Sequence, residues 1–95
     1  MIMVKELCKM IREELDDAEK YAKEYALNVE SDSRLAEMFK RLANAELDHA
    51  NMEHTEALRL IRESGVEPPT SMKAVWEWEH ELLLEKTAKI KSLLS

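Results

Sequence analysis

Residues 31–63 read SDSRLAEMFKRLANAELDHANMEHTEALRLIRE, a stretch without glycine or proline in which two stripes run side by side. One stripe holds Leu35, Leu42, Glu46, His49, Glu53 and Leu60; the other holds Leu47, Ala50, His54, Ala57, Leu58 and Ile61. Such spacing belongs to an α-helix, and two adjacent stripes let one helix contact two neighbours. Ser31, Asp32 and Ser33 offer side-chain oxygens to the first free backbone N–H groups, so the helix is expected over 33–63. Gly65, then Pro68 and Pro69, should end it, because glycine accepts a left-handed cap and proline cannot continue a helix.

Upstream, Leu7, Ile11, Glu14, Ala18, Tyr21, Tyr25 and Val29 alternate in steps of four and three, which predicts a helix over 3–29 and a tight turn before Asp32. Downstream, Trp76, His80, Leu83, Thr87, Ile90 and Leu94 form the inward stripe of a helix over 71–94, capped by Thr70 or Ser71. The expected architecture is all-α: an antiparallel helical hairpin plus a third helix, in one domain spanning 1–95. No internal repeat or low-complexity tract interrupts it.

Composition agrees. Of 95 residues, 45% are hydrophobic and 36% charged, with one glycine and two prolines, a balance that suits long helices and not strands. So short a chain builds a thin core, and the two-sided second helix carries more apolar surface than three helices cover, so an obligate homodimer is expected. The net charge of −6 and the lack of a basic face leave no source of phosphate neutralisation, so no nucleic-acid partner is expected, and cations are the better ligands. Lys5, Glu6, Lys9, Arg12, Glu13 and Glu14 interrupt the apolar run that a signal peptide or membrane span needs. The lone Cys8 suits a reducing compartment, and the expected location is cytoplasmic, without membrane association.

Three polar residues stand where the stripes call for apolar ones. Glu14 lies between Ile11 and Ala18, where an ionised carboxylate costs several kcal/mol unless a cation, donor or proton compensates; alternatively its head reaches solvent from the core boundary. Glu46 and His49, three residues apart, share a helix face and can bind one ion together, although Glu-x-x-His also arises by chance in a Glu-rich helix. Register across the hairpin adds specificity. From a turn centre at Ser31, Glu14 is 17 residues before, Glu46 15 after and His49 18 after. At about 1.5 Å per residue all three fall within roughly 5 Å of one height.

With these residues in place, the sequence resembles the ferritin-like superfamily, especially its rubrerythrin and encapsulated-ferritin branches. The resemblance lies in EELDDAEKYAKEYA (13–26) and LAEMFKRLANAELDHANMEH (35–54). In that family a first-helix metal-ligating Glu precedes a Tyr by seven residues, as Glu14 precedes Tyr21, and a second-helix Glu-x-x-His ends in His-Ala, as AELDHA does at Glu46, His49 and Ala50. The resemblance implies Glu14, Glu46 and His49 as ligands and Tyr21 as a hydrogen-bond donor behind them; Tyr21 is equally suited to plain core packing. It also implies two iron ions per site, with Mn or Zn as substitutes.

A di-iron bundle uses a Glu from each of two helices and a Glu-x-x-His from each of the other two. Two-fold pairing would supply that set by doubling Glu14, Glu46 and His49, as encapsulated ferritins do, and would assemble a ferritin-like bundle through dimerisation. A competing single-chain site would draw on Glu77 and His80, a second Glu-x-x-His. Heights oppose it: His49 lies 14 residues before Glu63 and His80 nine after Ser71, a mismatch of about 7 Å. His54 is level with His80, so His54, His80 and Glu77 form a possible second cation set, or the two histidines simply hydrogen-bond at a helix interface. Trp76 is expected in the core and Trp78 partly exposed.

The expected function is oxidation or handling of Fe²⁺ with O₂ or peroxide at the paired site. The alternative is a structural or adaptor bundle with little metal chemistry, since fold does not settle function. The rubredoxin-like Cys-x-x-Cys of rubrerythrins is missing, and no encapsulin-targeting motif follows Leu93.

Overall fold

The computed structural model describes residues 2–65 and 70–95. It contains α1 (Ile2–Asn28), α2 (Ser33–Glu63) and α3 (Thr70–Leu94), and no strand among the described residues. The helix starting at Ser33 is fixed by Asp32, whose side chain accepts a hydrogen bond from Leu35 N at 3.1 Å, satisfying one of the orphan donors of the first turn. α2 ends at Ser64, whose N–H bonds back to Leu60 O at 3.1 Å, and Gly65 follows with φ 65°. That left-handed conformation is one that a Cβ disfavours. Pro68 and Pro69 and the side chains of Thr70 and Ser71 lie outside the described residues, so their expected stop and capping roles do as well. Val29 falls just beyond α1, with its N–H bonded to Tyr25 O.

The hairpin of α1 and α2 is the centre of the molecule. On α2 the buried alanines Ala36, Ala43, Ala50 and Ala57 recur every seven residues, and on α1 Val4, Ile11 and Ala18 do the same beside Leu15 and Ala22. A seven-residue repeat on both helices is the pattern of left-handed, coiled-coil-like packing, and small alanines let the helix axes approach. The α1 residues at the seam differ in part from the expected stripe: Leu15 and Ala22 are buried, whereas Glu14, Tyr21 and Tyr25 lie at its edge.

α3 packs along α1 and scarcely touches α2. It runs parallel to α1, as its ion pairs show: Arg12 with Glu79, Asp16 with Lys86, and Glu19 with Lys89 at 2.7 Å. Leu83, Ile90 and Leu94 are buried in the same core as Ile11, Leu15 and Ala18. The inward stripe of α3 passes through Glu79, 9% exposed and held by Arg12, instead of the expected His80, which is exposed. Trp78 is exposed under Arg12, whose guanidinium sits 5.2 Å from the ring centroid.

Because α3 covers α1, the side of α2 that carries Leu35, Met38 and Leu42 has no helix packed on it among the described residues, and these three are exposed. The radius of gyration is 15.6 Å, against about 12 Å for a compact chain of this length. No helix of the described residues is long and apolar enough to cross a membrane.

Candidate metal centre

Glu14 projects from the middle of α1 and Glu46 and His49 from consecutive turns of α2. The antiparallel seam brings them to one height. His49 Nδ1 lies 3.5 Å from Glu46 Oε1 and 3.7 Å from Glu14 Oε2, and one donor atom from each residue falls within 4.8 Å of the others. Two donors bound at 2.0–2.2 Å to one ion stand about 3–4 Å apart, so both histidine distances already suit a shared cation. Among the described residues these three are the one group of three or more ligating side chains gathered closely enough to hold an ion. The carboxylates are mostly buried, 23% and 19% exposed, while His49 is 51% exposed and forms the rim.

Electrostatics follow from that crowding. The Glu46 carboxyl is pushed above its usual range first by its hydrogen bond with Glu14, then by burial and by the Glu14 charge, with His49 pulling the other way. A cation placed between the two carboxylates would relieve that crowding.

Glu53, one turn beyond His49 on the same stripe, adds a second carboxylate to this face of α2. Its Oε1 is buried without a hydrogen-bond partner, and burial first, then the charges of Glu46 and Glu13, raise its pKa against the opposing pull of His49. Sequence reasoning placed Glu53 on the stripe but left it out of the ligand set; its spacing of seven from Glu46 was the available signal. Tyr21 packs against the core and stacks on Phe39, ring centroids 6.4 Å apart. Among the described residues no hydrogen bond joins it to Glu14 or Glu46.

The second set assembles only in part. His54 Nε2 meets His80 Nδ1 at 3.1 Å, and Trp76, half-buried, stacks on His54. Glu77 is exposed on α3 and joins neither group, and His80 is not gathered with Glu14, Glu46 and His49. Burial, then the neighbouring His80, lowers the pKa of His54 and favours its neutral form. Cys8 is half-buried, and burial raises its thiol pKa against the pull of Arg12, which makes it an inert packing residue.

In comparisons with known proteins, no family model, no curated protein and no solved structure matches the chain.

Proposed function

We propose that this chain pairs with a second copy of itself into a ferritin-like bundle and uses Glu14, Glu46 and His49 of both copies to bind Fe²⁺ and promote its oxidation by O₂ or peroxide. The observation that carries this reading is the convergence of two carboxylates and an imidazole, from two helices, within 4.8 Å. The resemblance of residues 13–26 and 35–54 to rubrerythrins and encapsulated ferritins points the same way.

Three donors from one chain leave a divalent ion short of the four to six it takes. Two copies would offer four carboxylates and two imidazoles, whose four negative charges offset two divalent ions. Carboxylates are hard ligands that favour Fe³⁺ over Fe²⁺, so this donor set fits iron and also accepts Mn²⁺ or Zn²⁺. Fe²⁺ is the substrate in this reading, each ion giving one electron to the oxidant. The chain's own residues contribute placement and charge: Glu14 and Glu46 supply the negative charge that holds the cation, and the exposed edge of His49 leaves the site open to solvent and small oxidants.

The exposed residues Leu35, Met38 and Leu42 precede Glu46 and His49 along one side of α2, so apolar surface flanks the site on the side that a second copy would cover. The same surface suits a helical adaptor, and metal-dependent activity separates the two readings. Anaerobic protein is loaded with two Fe²⁺ per dimer and mixed with oxygenated buffer, and ferric absorbance is followed in wild type and Glu46→Gln. Oxidation much faster than in protein-free buffer, lost in the variant, is the expected result. Equal rates in wild type, variant and buffer would remove the oxidase reading and leave the adaptor.

A further inference from the structure

α3 is held to α1 along its length by ion pairs but, among the described residues, meets α2 sparsely, where His80 and Trp76 both lie against His54. The two ring centroids are 5.1 Å apart, and Trp76 covers His54 with its centroid 5.2 Å away. His80 is exposed, so the pair opens to solvent on one side. It is also separate from the carboxylate group, which contains neither histidine.

The spacing of the two nitrogens is informative. Bonds of 2.0–2.1 Å to one ion place two imidazole nitrogens about 2.9 Å apart at a right angle and about 3.3 Å apart at the tetrahedral angle. The observed Nε2···Nδ1 distance is 3.1 Å, between those limits. A cation can therefore replace the hydrogen bond if each ring turns its lone pair roughly 40° off the N···N line, with little movement of either helix. Neither ring has to lose a net proton: His54 keeps its proton on Nδ1 and His80 on Nε2, a tautomer that leaves both facing nitrogens free to bind.

We propose that His54 and His80 form a second cation site, selective for an imidazole-seeking divalent ion of the Cu²⁺, Ni²⁺ or Zn²⁺ type, that fastens α3 to α2. Its donors distinguish it from the carboxylate-rich centre, because imidazole suits these borderline ions whereas carboxylates suit harder ones. Solvent fills the remaining coordination positions on the open side, where Glu77, one turn before His80 on α3, is the carboxylate available to join. The inference stands on the histidine geometry and is independent of the iron reading.

Trp76 provides the readout, because Cu²⁺ bound to a ring stacked on an indole quenches its emission. In a Trp78→Phe, His49→Gln background, Trp76 is the sole tryptophan and the other centre lacks its imidazole. Titration with Cu²⁺ should then quench emission saturably at one ion per chain, and Zn²⁺ should restore it by competition. His80→Gln alters an exposed residue and should weaken the quenching by about tenfold or more, since even groups that merely orient a ligand are worth 10- to 100-fold in metal affinity. His54→Phe, which preserves an aromatic partner for Trp76, should weaken it as much. Quenching with an unchanged midpoint in both variants, or quenching that does not saturate, would overturn the proposal.

Discussion

Replacing Glu14 by Gln should stabilise the metal-free protein and abolish its response to metal. The substitution keeps the shape and hydrogen-bonding capacity of the side chain and removes one charge from a pair whose donor atoms lie within 4.8 Å. At that separation the repulsion between two carboxylates is about 0.9 kcal/mol at the dielectric of water and about 3.5 kcal/mol at an effective value of 20. Half-exposed His49 opens the site to solvent, which screens the repulsion. The gain should therefore lie near the lower figure, about 1 kcal/mol, which raises the melting temperature of a domain this size by about 4–8 °C. Wild-type protein should respond to metal instead: at a hundredfold excess over its dissociation constant a ligand adds about 2.7 kcal/mol, or roughly 10 °C or more. Thermal melts at one fixed protein concentration and pH 7.5, with and without Mn²⁺ as a redox-quiet probe, measure both effects. A variant that melts below wild type without metal, or equal metal-induced shifts in the two proteins, would refute the reasoning.

Three further outcomes follow from the same geometry. Leu42→Asp places a charge on the uncovered side of α2 and should convert the proposed dimer to monomer in sedimentation while helical content is retained; a dimeric wild type with an unchanged sedimentation coefficient in the variant would remove Leu42 from the interface. Arg12→Ala strands the buried Glu79 carboxylate and should cost about 1–3 kcal/mol in chemical denaturation, whereas Lys23→Ala, an exposed pair with Glu19 at 3.3 Å, should cost well under 1 kcal/mol. The pH dependence has a definite sign, because the raised pKa of Glu46 means the folded apo protein holds that proton more tightly than the unfolded chain. Its contribution is complete below the unfolded value of about 4.3 and is lost as pH rises through the higher folded value. The stability of Glu46→Gln relative to metal-free wild type should therefore increase as pH rises through that window; a difference that stays flat from pH 4 to 7 would contradict it.

Helix boundaries were legible because local chemistry dictates them. Asp32 caps α2 as its side-chain type suggests, and Gly65 takes the positive φ that ends it. The convergence of Glu14, Glu46 and His49 was also legible, since a short turn between two antiparallel helices converts sequence distance into height with little freedom. The placement of α3 was not. Its parallel alignment with α1 rests on Asp16–Lys86 and Glu19–Lys89, pairs 70 residues apart whose members look in sequence like any solvated charges. The same long-range pairing misdirected the α3 stripe: a helical period admits Glu79 as readily as His80 next to Trp76 and Leu83, and only Arg12 makes a buried glutamate there acceptable. Glu53 was overlooked for a related reason, because its buried, unpartnered Oε1 depends on packing that spacing does not reveal.

Native mass spectrometry of the anaerobically Fe²⁺-loaded protein tests the central claim most directly, since it reports oligomeric state and metal content together. A dimer carrying two iron ions, reduced to a metal-free species in Glu14→Gln, is the predicted spectrum. Iron bound to a monomer, or two ions retained by the Glu14→Gln dimer, would contradict a shared centre built from Glu14, Glu46 and His49.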